Sequence, residues 1–80
     1  MDSRISDVVS RIRSTRIAKG LTIIDLANKA HVSRSQIFYL ESNRKIPTLT
    51  VLYRIADALE VDISVFFDTY GDHTDVRNVD

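Results

Sequence analysis

The stretch from Ile23 to Ser42, IIDLANKAHVSRSQIFYLES, constrains this chain most. Small or apolar residues fall at Leu26, Ala27 and Ala30, then at Val32, and again at Ile37 and Leu40. Spacings of three and four within each group turn one side of a helix inward. The break at His31 leaves room only for a tight turn. Thr22 followed by Asp25, and Ser33 followed by Gln36, have the form of capping boxes, each marking a helix start. The pattern predicts one helix over Ile23–Ala30 and a second beginning after Ser33. His31 is expected at positive φ, a conformation easiest for glycine and better tolerated by histidine than by most residues.

The flanks predict more helix. Ile5, Val8, Val9, Ile12 and Thr15 or Arg16 form one face over residues 3–19, and Gly20 after Lys19 is a natural left-handed stop. Ser42-Asn43-Arg44-Lys45 reads as a loop. Pro47-Thr48 opens a fourth helix whose buried stripe would be Leu49, Leu52, Ile55, Ala56 and Leu59. Asp62 caps a last short helix carrying Ile63, Phe66 and Phe67. No stretch alternates as a strand does, and nothing repeats. The expected fold is all-α, five short helices in one domain over residues 1–68. Residues 69–80 lack periodicity, are rich in Asp, and read as an acidic flexible tail.

Net charge is zero, yet its distribution is lopsided. Residues 1–54 carry ten Lys and Arg against four acids, while residues 55–80 carry Arg77 against seven acids. The first part is +6 and the second −6. A basic half attracts phosphates and releases their counterions, and an acidic half is repelled and turned away. An ordinary mixed surface has the same total charge, so the charge asymmetry alone leaves that reading open.

Other classes are poorly supported. The chain has no cysteine, so neither a disulfide nor a thiolate metal site is available. No apolar run approaches the roughly 18 residues of a membrane span, and MDSRISD does not resemble a signal peptide, so a cytoplasmic protein is expected. The two glycines, Gly20 and Gly71, make no phosphate loop. No nucleophile motif surrounds the serines and histidines, so neither an enzyme, a cofactor nor a small-molecule ligand is expected. Asp68, Asp72, His73 and Asp75 contain metal-ligand atoms, but a solvated acidic tail is the simpler reading, and no metal is expected.

With these features in place, residues 5–67 resemble the Xre or phage-repressor family of helix-turn-helix proteins. Ala27 at the helix crossing, Val32 after the turn and Ile37 within the second helix stand where that family's pattern expects them. The resemblance implies a compact lambda-repressor-like domain. It would work as a homodimer on a near-palindromic double-stranded DNA operator, with the second helix of the motif in the major groove. Carried over residue by residue, base contacts fall at Arg34, Ser35 and Tyr39. Arginine pairs with guanine through two hydrogen bonds, although a phosphate contact or a solvated cation is the plainer role for Arg34. Backbone contacts fall at Thr22, Ser33, Gln36, Asn43, Arg44 and Lys45. By spacing, Phe38 also lies outward unless it packs on the neighbouring loop. Arg16 and Glu41 match positions that form a partly buried ion pair in similar proteins.

Two departures from the family pattern stand out. Ile23 and Ile24 occupy places where the family often has glutamine and an acid, so a phosphate grip is lost there or taken by Thr22. Val65 replaces a residue that is often polar. With Ile63 and Phe66 it is expected to form a dimer interface, joined by Phe67 and flanked by Ile46, Leu49 or Tyr53, unless the tail covers these groups. The small size is similar to restriction–modification controller proteins and Cro-like repressors, regulators of their own promoters that act by blocking or touching RNA polymerase. The alternative is an antitoxin of the same fold, using Ile23, Ile24 and the acidic tail to bind a toxin.

Overall fold

A computed structural model describes residues 2–67. The tail expected over 69–80 and the acidic cluster Asp68–Asp75 lie outside the described residues. Four α-helices follow in order: α1 Ser3–Ala18, α2 Ile23–Ala30, α3 Arg34–Glu41 and α4 Leu49–Leu59. The fifth element is a 3-10 turn, Ile63–Phe67, in place of the expected fifth α-helix. Asp62 starts it, its carboxylate accepting from the Ser64 N–H at 2.9 Å and its carbonyl from the Val65 N–H at 3.0 Å. Ile63 and Phe66 are three residues apart, the repeat of a 3-10 turn, so one short turn directs both inward.

Each α-helix starts on a side-chain oxygen. Asp2, Thr22, Ser33 and Thr48 accept from the first-turn N–H groups of α1, α2, α3 and α4, and the boxes at Thr22–Asp25 and Ser33–Gln36 are both closed. Each cap of this kind contributes about 1 kcal/mol. Each α-helix also ends in the same way. A left-handed residue (Gly20, His31, Asn43 and Glu60 in turn) lets the next N–H reach back to a carbonyl five residues earlier. The closing bonds are Leu21 to Arg16 at 3.1 Å, Val32 to Ala27 at 3.1 Å, Arg44 to Tyr39 at 2.8 Å and Val61 to Ala56 at 3.0 Å. These are Schellman endings, which usually place an apolar residue after the left-handed one. Leu21, Val32 and Val61 obey, packing against the core. Arg44 alone is exposed.

The core is built from Val8, Val9 and Ile12 of α1, Leu26, Ala27 and Ala30 of α2, Ile37 and Leu40 of α3, Leu52, Ile55, Ala56 and Leu59 of α4, and Phe66. The small side chains of Ala27 and Ala30 let α2 pack on both α3 and α4. Leu49 departs from its expected place in the α4 stripe and is 63% exposed. It is the first residue after the Thr48 cap. A helical side chain leans back over the preceding turn, which here carries Leu49 past the end of the core.

Candidate nucleic-acid interface

The exposed face of α3 presents Arg34, Ser35, Phe38 and Tyr39, with Gln36 half-buried at its edge. The inward face is held by Ile37 and Leu40. The helix is fixed at its far end by Arg16 of α1. The guanidinium donates to both carboxylate oxygens of Glu41, Nε to Oε2 at 2.7 Å and Nη2 to Oε1 at 2.8 Å, and Nη1 donates to the Leu21 carbonyl at 2.8 Å. Their side chains are only 11% and 6% exposed. The hydrogen bonds to Glu41 raise the Arg16 pKa further above its ordinary value, against the opposing effect of burial. Glu41 therefore presents no free carboxylate at the end of the reading helix. Behind the turn, Arg54 of α4 donates to the His31 carbonyl at 3.4 Å.

The capping boxes decide what the helix starts can offer a ligand. The Ser33 hydroxyl accepts from the Gln36 N–H at 3.1 Å, and the Gln36 amide oxygen accepts from the Ser33 N–H at 3.2 Å. These bonds leave the hydroxyl proton of Ser33 and the two amide protons of Gln36 free to donate. Phosphate oxygens and the acceptor edges of bases need such donors. The start of α2 differs. Thr22 is capped in the same way, but its partner is the carboxylate of Asp25. The Thr22 N–H bond holds the Asp25 pKa below its ordinary value. The residue types in the two boxes make the start of α3 the more hospitable to an anion. Among the other expected backbone contacts, Asn43, Arg44 and Lys45 are all exposed in the loop after α3. Arg44 stands where the other three Schellman endings bury an apolar group.

Between the end of α1, the start of α2 and the face of α3 lies an open concavity of about 840 Å³. Ile17, Leu21, Ile23, Ile24 and Phe38 form its apolar wall, and Thr22, Arg34, Ser35 and Tyr39 supply its polar groups. No acid lines it. Ile23 packs partly against the core while Ile24 is half exposed, so the two neighbouring isoleucines divide between inside and outside. The Phe38 and Tyr39 rings meet edge to face, centroids 5.6 Å apart. The concavity is a tertiary feature that α3 periodicity alone does not reveal.

The expected dimer residues separate. Val65 is exposed at 40%, Ile63 packs against the core, and Phe66 is wholly buried at 0%. Phe66 thus cannot offer its ring to a second copy, because the 3-10 turn directs it into its own core. Exposed large apolar groups also occur at Ile46, Leu49, Tyr53 and Phe67. Among the described residues no group of carboxylates and histidines has metal-binding geometry, and no helix is long and apolar enough to cross a membrane.

A capped helix pair with a tight left-handed turn, a buried crossing alanine and a second helix whose exposed face carries Arg34 and no acid defines the class of helix-turn-helix DNA-binding transcription regulators. The helix-turn-helix family profile matches residues 12–66, and the chain belongs to that family. It is 39% identical over 57 residues to the immunity repressor protein of Bacillus phage phi105, a match covering 71% of this chain and 40% of the repressor. The chain thus spans well under half the length of that relative. Among solved structures it is similar to the restriction-modification controller protein C.Esp1396I, with 36% identity, a TM-score of 0.79, and coverage of 84% of this chain and 86% of that one. It is also similar to the controller C.AhdI from Aeromonas hydrophila, with 26% identity, a TM-score of 0.78, and coverage of 82% of this chain and all of that one.

Proposed function

We propose that this protein binds a near-palindromic operator as a homodimer and regulates its own promoter, as a restriction–modification controller or a Cro-type repressor does. The observation that carries this reading is the acid-free face of α3, with Arg34, Ser35 and Tyr39 exposed and free donors on Ser33 and Gln36 at the start of the helix. Arg34 is assigned to guanine, Ser35 and Tyr39 to neighbouring bases. Thr22, Ser33, Gln36, Asn43, Arg44 and Lys45 are assigned to phosphates. In a dimer, two α3 helices about 34 Å apart meet successive major grooves. Val65, with Leu49 and Tyr53, supplies the contact between copies. The protein acts in the cytoplasm, where an operator overlapping the promoter blocks RNA polymerase and an adjacent one lets the two proteins touch. Residues 1–68 are the working domain, and residues 69–80 carry three acids against one arginine.

The test is a gel shift with DNA from upstream of the gene, titrated with salt and competitor. Binding no tighter than to random DNA rejects autoregulation through a local operator. Arg34→Ala should relax specificity by about 1–3 kcal/mol at one base position, whereas Arg44→Ala should weaken all sequences alike and lower the salt slope by about 1. Equal, sequence-independent losses would reassign Arg34 to a phosphate. A second reading, an antitoxin that holds a toxin, draws on the half-exposed Ile17 and Ile24. A toxin reading frame beside the gene would favour it.

A further inference from the structure

The reading face carries more apolar surface than a hydrogen-bonding face needs. Phe38 and Tyr39 are 49% and 44% exposed, and they meet each other edge to face. Arg34 and Phe38 are four residues apart on α3, as are Ser35 and Tyr39, so all four project to the same side. Ile17 and Ile24 extend the apolar wall behind them. Arg34 lines the concavity as a cation without an acidic partner, Arg16 being paired with Glu41, and no acid lines it, which suits a polyanion better than an apolar protein surface.

In the major groove the only apolar group on an unmodified base edge is the C5 methyl of thymine; cytosine carries the same group when methylated at C5. Apart from small C–H groups such as cytosine C5–H, the other edge groups are hydrogen-bond donors or acceptors. Pressing the Phe38 ring against those groups would bury polar atoms without partners, which is costly. We propose that the Phe38–Tyr39 pair, backed by Ile24, is a receptor for a pyrimidine C5 methyl beside the guanine read by Arg34. This rests on the DNA-reading assignment of α3. Four residues of helix span about 6 Å. Base steps on one strand rise about 3.4 Å. The methyl therefore lies within two steps of the guanine. Phe38 makes the contact and Tyr39, meeting it edge to face, holds its ring in place.

The test begins with selection of a binding sequence from a randomised duplex pool. The selected duplex is then remade with deoxyuridine replacing each thymine in turn, which removes one methyl and nothing else. At one position per half-site, within two steps of the guanine, loss of the methyl should weaken binding about fourfold. Phe38→Ser should bind the thymine and deoxyuridine duplexes almost equally, with an unchanged melting temperature because the ring is half exposed. Phe38→Leu should keep part of the preference. Placing 5-methylcytosine or cytosine at the sensitive position distinguishes the sources. A gain from 5-methylcytosine over cytosine admits methylated DNA as a ligand, and a gain from thymine over deoxyuridine alone confines the receptor to thymine. A selected sequence with no methyl-sensitive position, or a preference that survives in Phe38→Ser, overturns the receptor and leaves the DNA-reading assignment intact. If the pool yields no sequence better than random DNA, the assignment itself fails and the receptor with it.

Discussion

The α2–α3 pair and the α4–3-10 unit share one core but are held by different forces. Around α2 and α3, directional bonds accumulate: two closed capping boxes, a three-bonded Arg16 and the Arg54 link to the turn. Around α4 and the 3-10 turn, packing dominates, with Leu52, Ile55, Leu59 and Phe66 buried and simple caps at Thr48 and Asp62. Apolar burial is strong but non-directional, whereas hydrogen bonds fix angles. A helix that must present Arg34 and Ser35 at set positions needs the second kind of support. A unit that only closes the core, or meets a copy of itself, is served by the first. Both carry exposed apolar groups, but those on the α3 side sit with Arg34, while α4 and its following turn bear Asp57, Glu60 and Asp62.

The largest expected effect tests the directional side. Glu41→Ala strands the Arg16 cation in a site that is almost closed to water, and should cost about 3–5 kcal/mol, read as a lower midpoint in urea. The double replacement Arg16→Met with Glu41→Leu should recover most of that stability while blurring sequence discrimination. If the single variant melts like the parent, the ion pair does not anchor α3. Next comes the apolar side. Leu49→Asp adds a carboxylate at the first position of α4, where a helix accepts one. In sedimentation it should shift a dimer toward monomer, with a similar shift from Val65→Asp, while both keep their helical circular dichroism. A dimer indifferent to both changes would place the interface elsewhere. The smallest effect concerns the turn between α2 and α3. His31→Gly removes a side chain from a left-handed position at φ 58° and should stabilise by up to about 1 kcal/mol. A loss of stability would mean that the imidazole makes a compensating contact.

Much of the α2–α3 unit is legible in sequence because its signals are local. Leu26, Ala27, Ile37 and Leu40 repeat at helical spacing, Thr22 and Ser33 announce the starts, and His31 occupies a turn too short for other geometry. The Arg16–Glu41 geometry matches what the family resemblance implied, although neither residue advertises its partner 25 positions away. The left-handed ends at Asn43 and Glu60 escape notice, since neither is glycine. The available signal at Glu60 is Val61, an apolar residue following a helix end, as at Leu21 and Val32. Leu49 and Phe66 were harder. Periodicity tells which side of a helix is apolar but not where the core stops, so it puts Leu49 inside, and it cannot show that a five-residue turn sends Phe66 inward. The donors left free by capping become visible only when the capping bonds themselves are seen.

Closed starts and closed ends leave almost no slack between helices. Only three residues, His31 to Ser33, separate α2 from α3, and all of them belong to an ending or a cap. The angle between the two helices is therefore set before any partner arrives. When a rigid wedge enters a groove, the adjustment falls to the duplex, and the bending energy of the sequence becomes part of the selection. Base pairs that no side chain reaches would then be chosen for how cheaply they deform.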